Sequence, residues 1–383
     1  MKATHLIVIA AGAAAVAFAA DAQPAVMGPM VAPNAAMLQQ REAAAPPAIK
    51  LKLESLRAMV RQQGLGYTVG YTRIMDQPRQ SLLGDIDDPR LTPQLRMSIT
   101  RTSLEILKAD EDARVKFLLA HPDMRRIIPD ITKLALGCSA NLSFWDWHAH
   151  GKVSPVKHQT CGNCWAFAAT AAYESSQLMR NNAMTDESEQ YINDCATLDD
   201  GSDAGSCGGG LAVNAFQHMV RVGDATEMQD PYTGNDKMCP GVAANMHSIA
   251  WGFVDPSVDF PSRQEIKAAL CTYGPLATRM RVVSDAIFSY TGGTPPHDVY
   301  NEHVNSDSDG GGHAVLIVGW DDSRQAWLIK NSWDTDWGEG GFGWIGYDSN
   351  RIGRQTAWVQ ARSNFYAFNP ALLKNLQFHP LPH

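Results

Sequence analysis

One short stretch limits what this chain can fold into more than any other. Lys157–Phe167 reads Lys157-His158-Gln159-Thr160-Cys161-Gly162-Asn163-Cys164-Trp165-Ala166-Phe167, and an Ala-rich run, Ala168–Tyr173, follows it. A glycine and small residues lead into good helix formers, so a helix is expected to begin at Cys164. Unpaired backbone N–H groups and the helix dipole stabilise an anion at that point, and a thiol placed there ionises more readily. A nucleophile alone does little. The rest of the chain has to supply a base, a group that orients the base, and donors for the negative charge of a tetrahedral intermediate.

Among twelve histidines, His313 stands out. It lies in Gly310-Gly311-Gly312-His313-Ala314-Val315, directly before an apolar run. The glycines give the backbone room near a cleft, and a strand over Ala314–Trp320 would hold the imidazole rigidly. Alone, a histidine before a strand is more often structural than catalytic. Asn331 follows the next apolar run, in Ile329-Lys330-Asn331-Ser332-Trp333, with Trp337-Gly338-Glu339 close behind. Its amide can accept from the imidazole N–H and fix the tautomer, while an indole from Trp333 shields that bond. Gln159 lies across the turn from Cys164, where its side-chain amide can join the Cys164 N–H in an oxyanion hole.

These motifs resemble the papain-like cysteine proteases, over roughly Phe144–Tyr347. The local signature of that family is C-G-[SA]-C-[WY], met here with Asn163 at the variable position. His313 follows Cys164 by 149 residues, inside the family's range of ~130–150. The resemblance implies an α+β fold of two halves, one mainly helical and one a β-barrel, with the cleft between them and a propeptide in front. It implies the catalytic set Cys164, His313, Asn331 and Gln159, with Cys164 and His313 as a thiolate–imidazolium pair: thiol pKa lowered, imidazole pKa raised. It also implies two disulfides, Cys161–Cys207 and Cys195–Cys239. Cys138 and Cys271 are left to pair or stay separate. Gly209 and Gly210 would bind the substrate backbone. Leu211, Ala212 and Ala314 would line the pocket for the side chain two residues before the scissile bond, giving an apolar preference, and Trp333 completes the substrate-binding set. Two positions depart from the family: Gly312, where Asp or Asn is usual, and Asp334, where Gly is usual.

Other readings compete with parts of this. Cys161 and Cys164 fit a C-x-x-C redox or zinc pair, but that leaves His313 and Asn331 without a role. Asn305–Gly310 has the opening spacing of a calcium loop, yet Leu316 stands where the terminal acidic ligand belongs. No metal and no cofactor is expected. The alternative function is a catalytically silent homologue that binds a peptide or protein in the same cleft.

Composition divides the chain. Hydrophobic residues make up 45% and charged residues 19%, enough for a sizeable core. Met1–Ala22 has a basic start, an apolar run and small residues at its end, which reads as a secretory signal peptide of a secreted or periplasmic protein. The run is too short for a membrane anchor. Residues 23–137 read as a propeptide, its boundary approximate, and residues 138–383 as the enzyme domain. All seven cysteines fall in the second part, consistent with an oxidising compartment. Residues 23–137 carry 16 Lys and Arg against 12 Asp and Glu, and residues 138–383 carry 15 against 27. A basic propeptide facing an acidic domain is electrostatically favourable, and the acidic domain argues against nucleic acid. The partners expected are peptide or protein substrates and the chain's own propeptide as inhibitor, with the enzyme a monomer. Within the propeptide, Gln23–Pro47 reads as a flexible leader. Ile49–Gln63 and Leu104–His121 read as helices, and Gly64–Arg101 as turns with a strand over Tyr67–Thr72. Glu187–Cys195 and Leu211–Val222 read as helices, then Ala314–Trp320, Ala326–Lys330 and Phe342–Tyr347 as strands.

Overall fold

A computed structural model describes residues 35–126, 137–304 and 306–368. The expected signal peptide, Met1–Ala22, lies outside these residues, as does Asn305. In chain order the main elements are α1 (Ala35–Ala43), α2 (Pro47–Gln62), β1 (Tyr67–Val69), α3 (Pro93–Ala120), β2 (Phe144–Asp146), α4 (Cys164–Arg180), α5 (Glu189–Cys195), β3 (Gly205–Ser206), β4 (Gly209–Gly210), α6 (Ala212–Arg221), β5 (Ser248–Phe253), α7 (Arg263–Tyr273), β6 (Leu276–Val282), β7 (Tyr290–Gly293), β8 (Gly311–Asp321), β9 (Ala326–Lys330), β10 (Phe342–Gly346) and β11 (Arg354–Ala361).

Helix α4 joins the two halves. Every residue along it is buried, which its Ala-rich sequence permits because small side chains let neighbours approach from all sides. On one side it packs against α5 and α6, and on the other against β8 and β11. The second half is a seven-stranded antiparallel sheet in the order β10-β9-β8-β6-β11-β5, with β2 also paired to β8. Nine tryptophans lie among the most deeply buried side chains. Each removes a large apolar area from water, so together they dominate the core's stabilisation. Helix α7 begins with a capping box: Ser262 accepts from Glu265 N–H and the Glu265 carboxylate accepts from Ser262 N–H.

The N-terminal segment is built onto this body. Strand β1 pairs antiparallel with β7, Tyr67 opposite Gly293. Helix α3 packs along β5, and Thr100 Oγ1 accepts from Phe253 N–H at 3.0 Å. Two expectations change here. Residues 35–43, placed in a flexible leader, form α1. Helix α3 begins at Pro93, not near Leu104, because Thr92 caps it by accepting from Leu95 N–H at 3.3 Å and Pro93 fits its first turn. Turn-type residues there serve as a helix start.

Three disulfides fix the body: Cys161–Cys207, Cys195–Cys239 and Cys138–Cys271. The last ties the start of the second part to α7 across 133 residues. Cys164 is unbonded.

Candidate active site

Cys164 is the first residue of α4, where unpaired N–H groups gather. Asn163 before it makes no capping bond from its side chain; its Oδ1 accepts from the Tyr232 hydroxyl at 3.1 Å. Strand β8 brings His313 to the same place, and Ala314 N–H donates to Cys164 Sγ at 3.4 Å. On the far side of the imidazole, His313 Nε2 and Asn331 Oδ1 are 2.9 Å apart. That bond leaves Nδ1, buried and without a hydrogen bond of normal geometry, as the nitrogen able to exchange a proton. Asn331 is held in turn, since its Oδ1 also accepts from Ser332 N–H at 2.8 Å.

Trp333 stacks on the imidazole, ring centroids 4.4 Å apart and planes 21° apart, and Trp337 meets Trp333 edge to face. Trp333 is fully buried in the covered site. Gln159 is also fixed from behind: its Oε1 accepts from Ser332 Oγ at 2.8 Å. Its Nε2 donates to the Cys161 carbonyl at 2.7 Å and to the Ser81 carbonyl of the N-terminal segment at 3.3 Å. A carbonyl of the segment therefore already takes the amide expected to meet an oxyanion.

Residues 81–87 run across the whole site as a strap. Asp85 N–H donates to the Gly312 carbonyl at 3.2 Å, Ile86 N–H to the Gly210 carbonyl at 3.3 Å, and Gly210 N–H to the Gly84 carbonyl at 2.9 Å. A side chain at Gly84 would lie 1.6 Å from the Gly162 carbonyl oxygen, so only glycine fits beside the nucleophile's loop. Gly312 is explained by the same strap, since a Cβ there would lie 2.0 Å from the Asp85 carbonyl oxygen. Asp334 adopts φ +67°, a left-handed conformation that glycine favours and aspartate tolerates. Its carboxylate accepts from Arg73 of the segment at 2.9 Å.

The strap changes the protonation expected from sequence. Burial pushes the Cys164 thiol up to about 12, the Asp85 carboxylate adds to this, and N–H groups of Ala314, Gly84 and Trp165 oppose it. Burial also pushes His313 down to about 4, against the pull of Asn331. Both directions are the reverse of the expected thiolate–imidazolium pair. Burial under the strap favours the neutral thiol and the neutral imidazole, since it removes the water that would stabilise both charges.

Of the expected pocket residues, Leu211, Ala212 and Ala314 line one cavity, and Gly209 and Gly210 form the strand beside it. Ala277, Arg279 and Gln355 complete that cavity. Arg279, Gly84 and Asp85 were not picked out from the sequence. The visible signal for Arg279 was the alternation of two arginines, Arg279 and Arg281, with apolar residues in the run Leu276–Val282.

The chain matches the family model described as papain family cysteine protease over residues 142–361. It is 36% identical over 203 residues to cathepsin L of Sarcophaga peregrina, covering 51% of this chain and 56% of that protein. It is 35% identical over 207 residues to the viral cathepsin of Heliothis zea nuclear polyhedrosis virus, covering 52% and 51%. The matched stretch thus spans about half the length of these relatives. Among solved structures, digestive procathepsin L2 proteinase from Tenebrio molitor larval midgut superimposes with a TM-score of 0.60 at 24% identity, covering 85% of this chain and 98% of that one.

Proposed function

Since the chain belongs to the papain family of cysteine proteases, we propose that it is an endopeptidase made as an inactive precursor, with Cys164 as nucleophile, His313 as its base, Asn331 as the orienting group and Gln159 in the oxyanion hole. The burial of these four residues in one linked arrangement supports the reading: the N–H of Ala314, next to His313, lies 3.4 Å from Cys164 Sγ, His313 Nε2 lies 2.9 Å from Asn331 Oδ1, and Gln159 Oε1 accepts from Ser332 Oγ at 2.8 Å.

Removal of residues 23 to about 137 opens the cleft. With water admitted, the dipole of α4 and the facing imidazole favour the thiolate, and the proton moves from Sγ to His313 Nδ1. The thiolate attacks the carbonyl carbon of a peptide held against Gly209 and Gly210. The oxyanion is met by Gln159 Nε2 and Cys164 N–H, the imidazolium protonates the leaving amine, and water completes hydrolysis of the thioester. The imidazole then takes the proton of that water. Three disulfides and an apolar leader at Met1–Ala22 favour export to an oxidising compartment, and a monomer suffices for the chemistry.

A silent peptide-binding homologue would keep the cleft and lose the chemistry. Stoichiometric labelling of the processed protein by a thiol-directed peptide epoxide, together with cleavage of an unfolded protein, separates the two. Binding of the peptide portion without labelling or cleavage would overturn the endopeptidase reading.

A further inference from the structure

The guanidinium of Arg279 is buried on β6, at one wall of the cavity formed by Leu211, Ala212, Ala277 and Ala314. Each of its three nitrogens is engaged. Nε reaches both Asp85 oxygens at 3.0 and 2.8 Å. Nη2 donates to the Ile86 carbonyl at 3.0 Å and to Asp87 Oδ1 at 2.8 Å, and Nη1 to Gln355 Oε1 at 2.7 Å. Of these partners, only Gln355 lies outside the N-terminal segment.

One carboxylate of the body belongs to the same network: Asp259 accepts from Gln355 Nε2 at 3.1 Å, one residue removed from Arg279. Arg354 also binds Asp87, at 2.6 Å. Arg281 lies on the same strand, its Nη1 3.1 Å from where a side chain at Gly312 would begin. The second part of the chain is strongly acidic, with 27 Asp and Glu against 15 Lys and Arg, yet this wall of the cleft presents three arginines. When the strap leaves, a guanidinium built to grip a carboxylate is left facing the cleft. An arginine fork recognises a carboxylate by charge and by paired hydrogen bonds, and a buried cation without a partner is costly.

We propose that Arg279 makes this subsite acid-selective, so that the enzyme prefers peptides with Asp or Glu two residues before the scissile bond, Asp85 of the strap occupying the place of that carboxylate in the precursor. This replaces the apolar preference expected from Leu211, Ala212 and Ala314, and it rests on the protease reading above. The apolar walls pack the methylene of the side chain, and Arg279 with Gln355 reads its end.

The test uses enzyme processed from the full chain and four peptides that differ only at that position: Asp, Glu, Gln and Leu. The kcat/KM for Glu or Asp should exceed that for Gln and for Leu by roughly 10², since a site that leaves a buried charge unpaired rejects the uncharged analogue. Arg279→Gln is made together with Asp85→Asn, so that folding leaves no carboxylate buried without its cation. That double variant should cleave the Leu peptide and show no preference for Glu over Gln. The proposal is overturned if wild-type enzyme cleaves Leu or Gln peptides as well as the acidic ones, or if the double variant keeps an acidic preference; Arg279 would then serve only to hold the strap. Cleavage of the Leu peptide alone leaves the protease reading standing and removes this one. If no peptide is cut and Cys164 takes no label, both fall.

Discussion

Asn331 holds one imidazole nitrogen of His313 at 2.9 Å and Trp333 covers that contact, so the ring cannot turn away from Cys164 without breaking both. Asn331→Ala should therefore lower kcat more than it raises KM, measured by steady-state kinetics on processed enzyme. Gln159→Ala removes one oxyanion donor and should cost on the order of 10²–10³ in kcat with little change in KM. An equal rise in KM would mean Gln159 binds the ground state instead. At this scale the sequence was readable where chemistry demands a residue type: a thiol at a helix start, an imidazole before a strand, an amide after the next. It was not readable where the demand comes from another segment. Gly312 is glycine because the Asp85 carbonyl passes over it, and Asp334 is tolerated because its conformation suits aspartate and its charge meets Arg73. Nothing local announces a contact with a residue more than two hundred positions away.

Among the elements, the strap of residues 81–87 and the buried ion network of Lys157 carry separate loads. The strap approaches closest at Gly84. Gly84→Ala would drive a methyl into the Gly162 carbonyl, lifting the strap, and the unprocessed precursor should then show measurable thiol labelling and peptide cleavage where wild type shows little. Lys157 binds Glu174 on α4 at 3.1 Å, Glu189 on α5 at 2.9 Å and Asp186 at 2.8 Å. Both glutamates are buried. Lys157→Met leaves two buried carboxylates without their cation and should destabilise the fold by about 3–5 kcal/mol, read as a lower midpoint in urea unfolding of the precursor. Strands β8, β9 and β10 and helices α5 and α6 follow patterns evident in the sequence. The start of α3 and the strands β5, β6 and β11 did not stand out. Strand β6 carries Arg279 and Arg281 and β11 begins at Arg354, and these charges become meaningful only once partners are known: Arg279 with Asp85, Arg354 with Asp87.

For the whole molecule, charge pairing between the segment and the body runs both ways. Lys52 and Arg79 bind Asp285, Arg73 binds Asp334, and Arg96 binds Asp259. In return, Asp85 and Asp87 bind arginines of the body. Burial raises the carboxyls of Asp87, Asp259 and Asp285, and the cations paired with them more than reverse it, leaving each below its ordinary value. A carboxyl whose pKa is depressed by docking stabilises the docked state above its free value, ~3.9, and that stability is lost as pH falls through the depressed value. Asp85 works in the opposite sense, since burial raises it despite Arg279. Acid release should therefore begin only below about pH 4. Incubating the precursor over a pH series and following its conversion on gels checks this, and conversion already complete near pH 6 would contradict it. High salt should ease release, because the rim pairs are exposed enough to be screened.

The account stands or falls on one change at Cys164: a neutral, buried thiol under the strap becomes a thiolate paired with imidazolium once the strap is gone. The pH dependence of Cys164 alkylation by a small neutral reagent, measured on precursor and on processed enzyme, reads that change directly. The precursor should react slowly at all pH values up to the alkaline range. The processed enzyme should react fast from mildly acidic pH onward, with His313→Ala abolishing the acid-side reactivity. A processed enzyme whose Cys164 alkylates only with the profile of an ordinary thiol near ~8.5 would contradict the proposed mechanism.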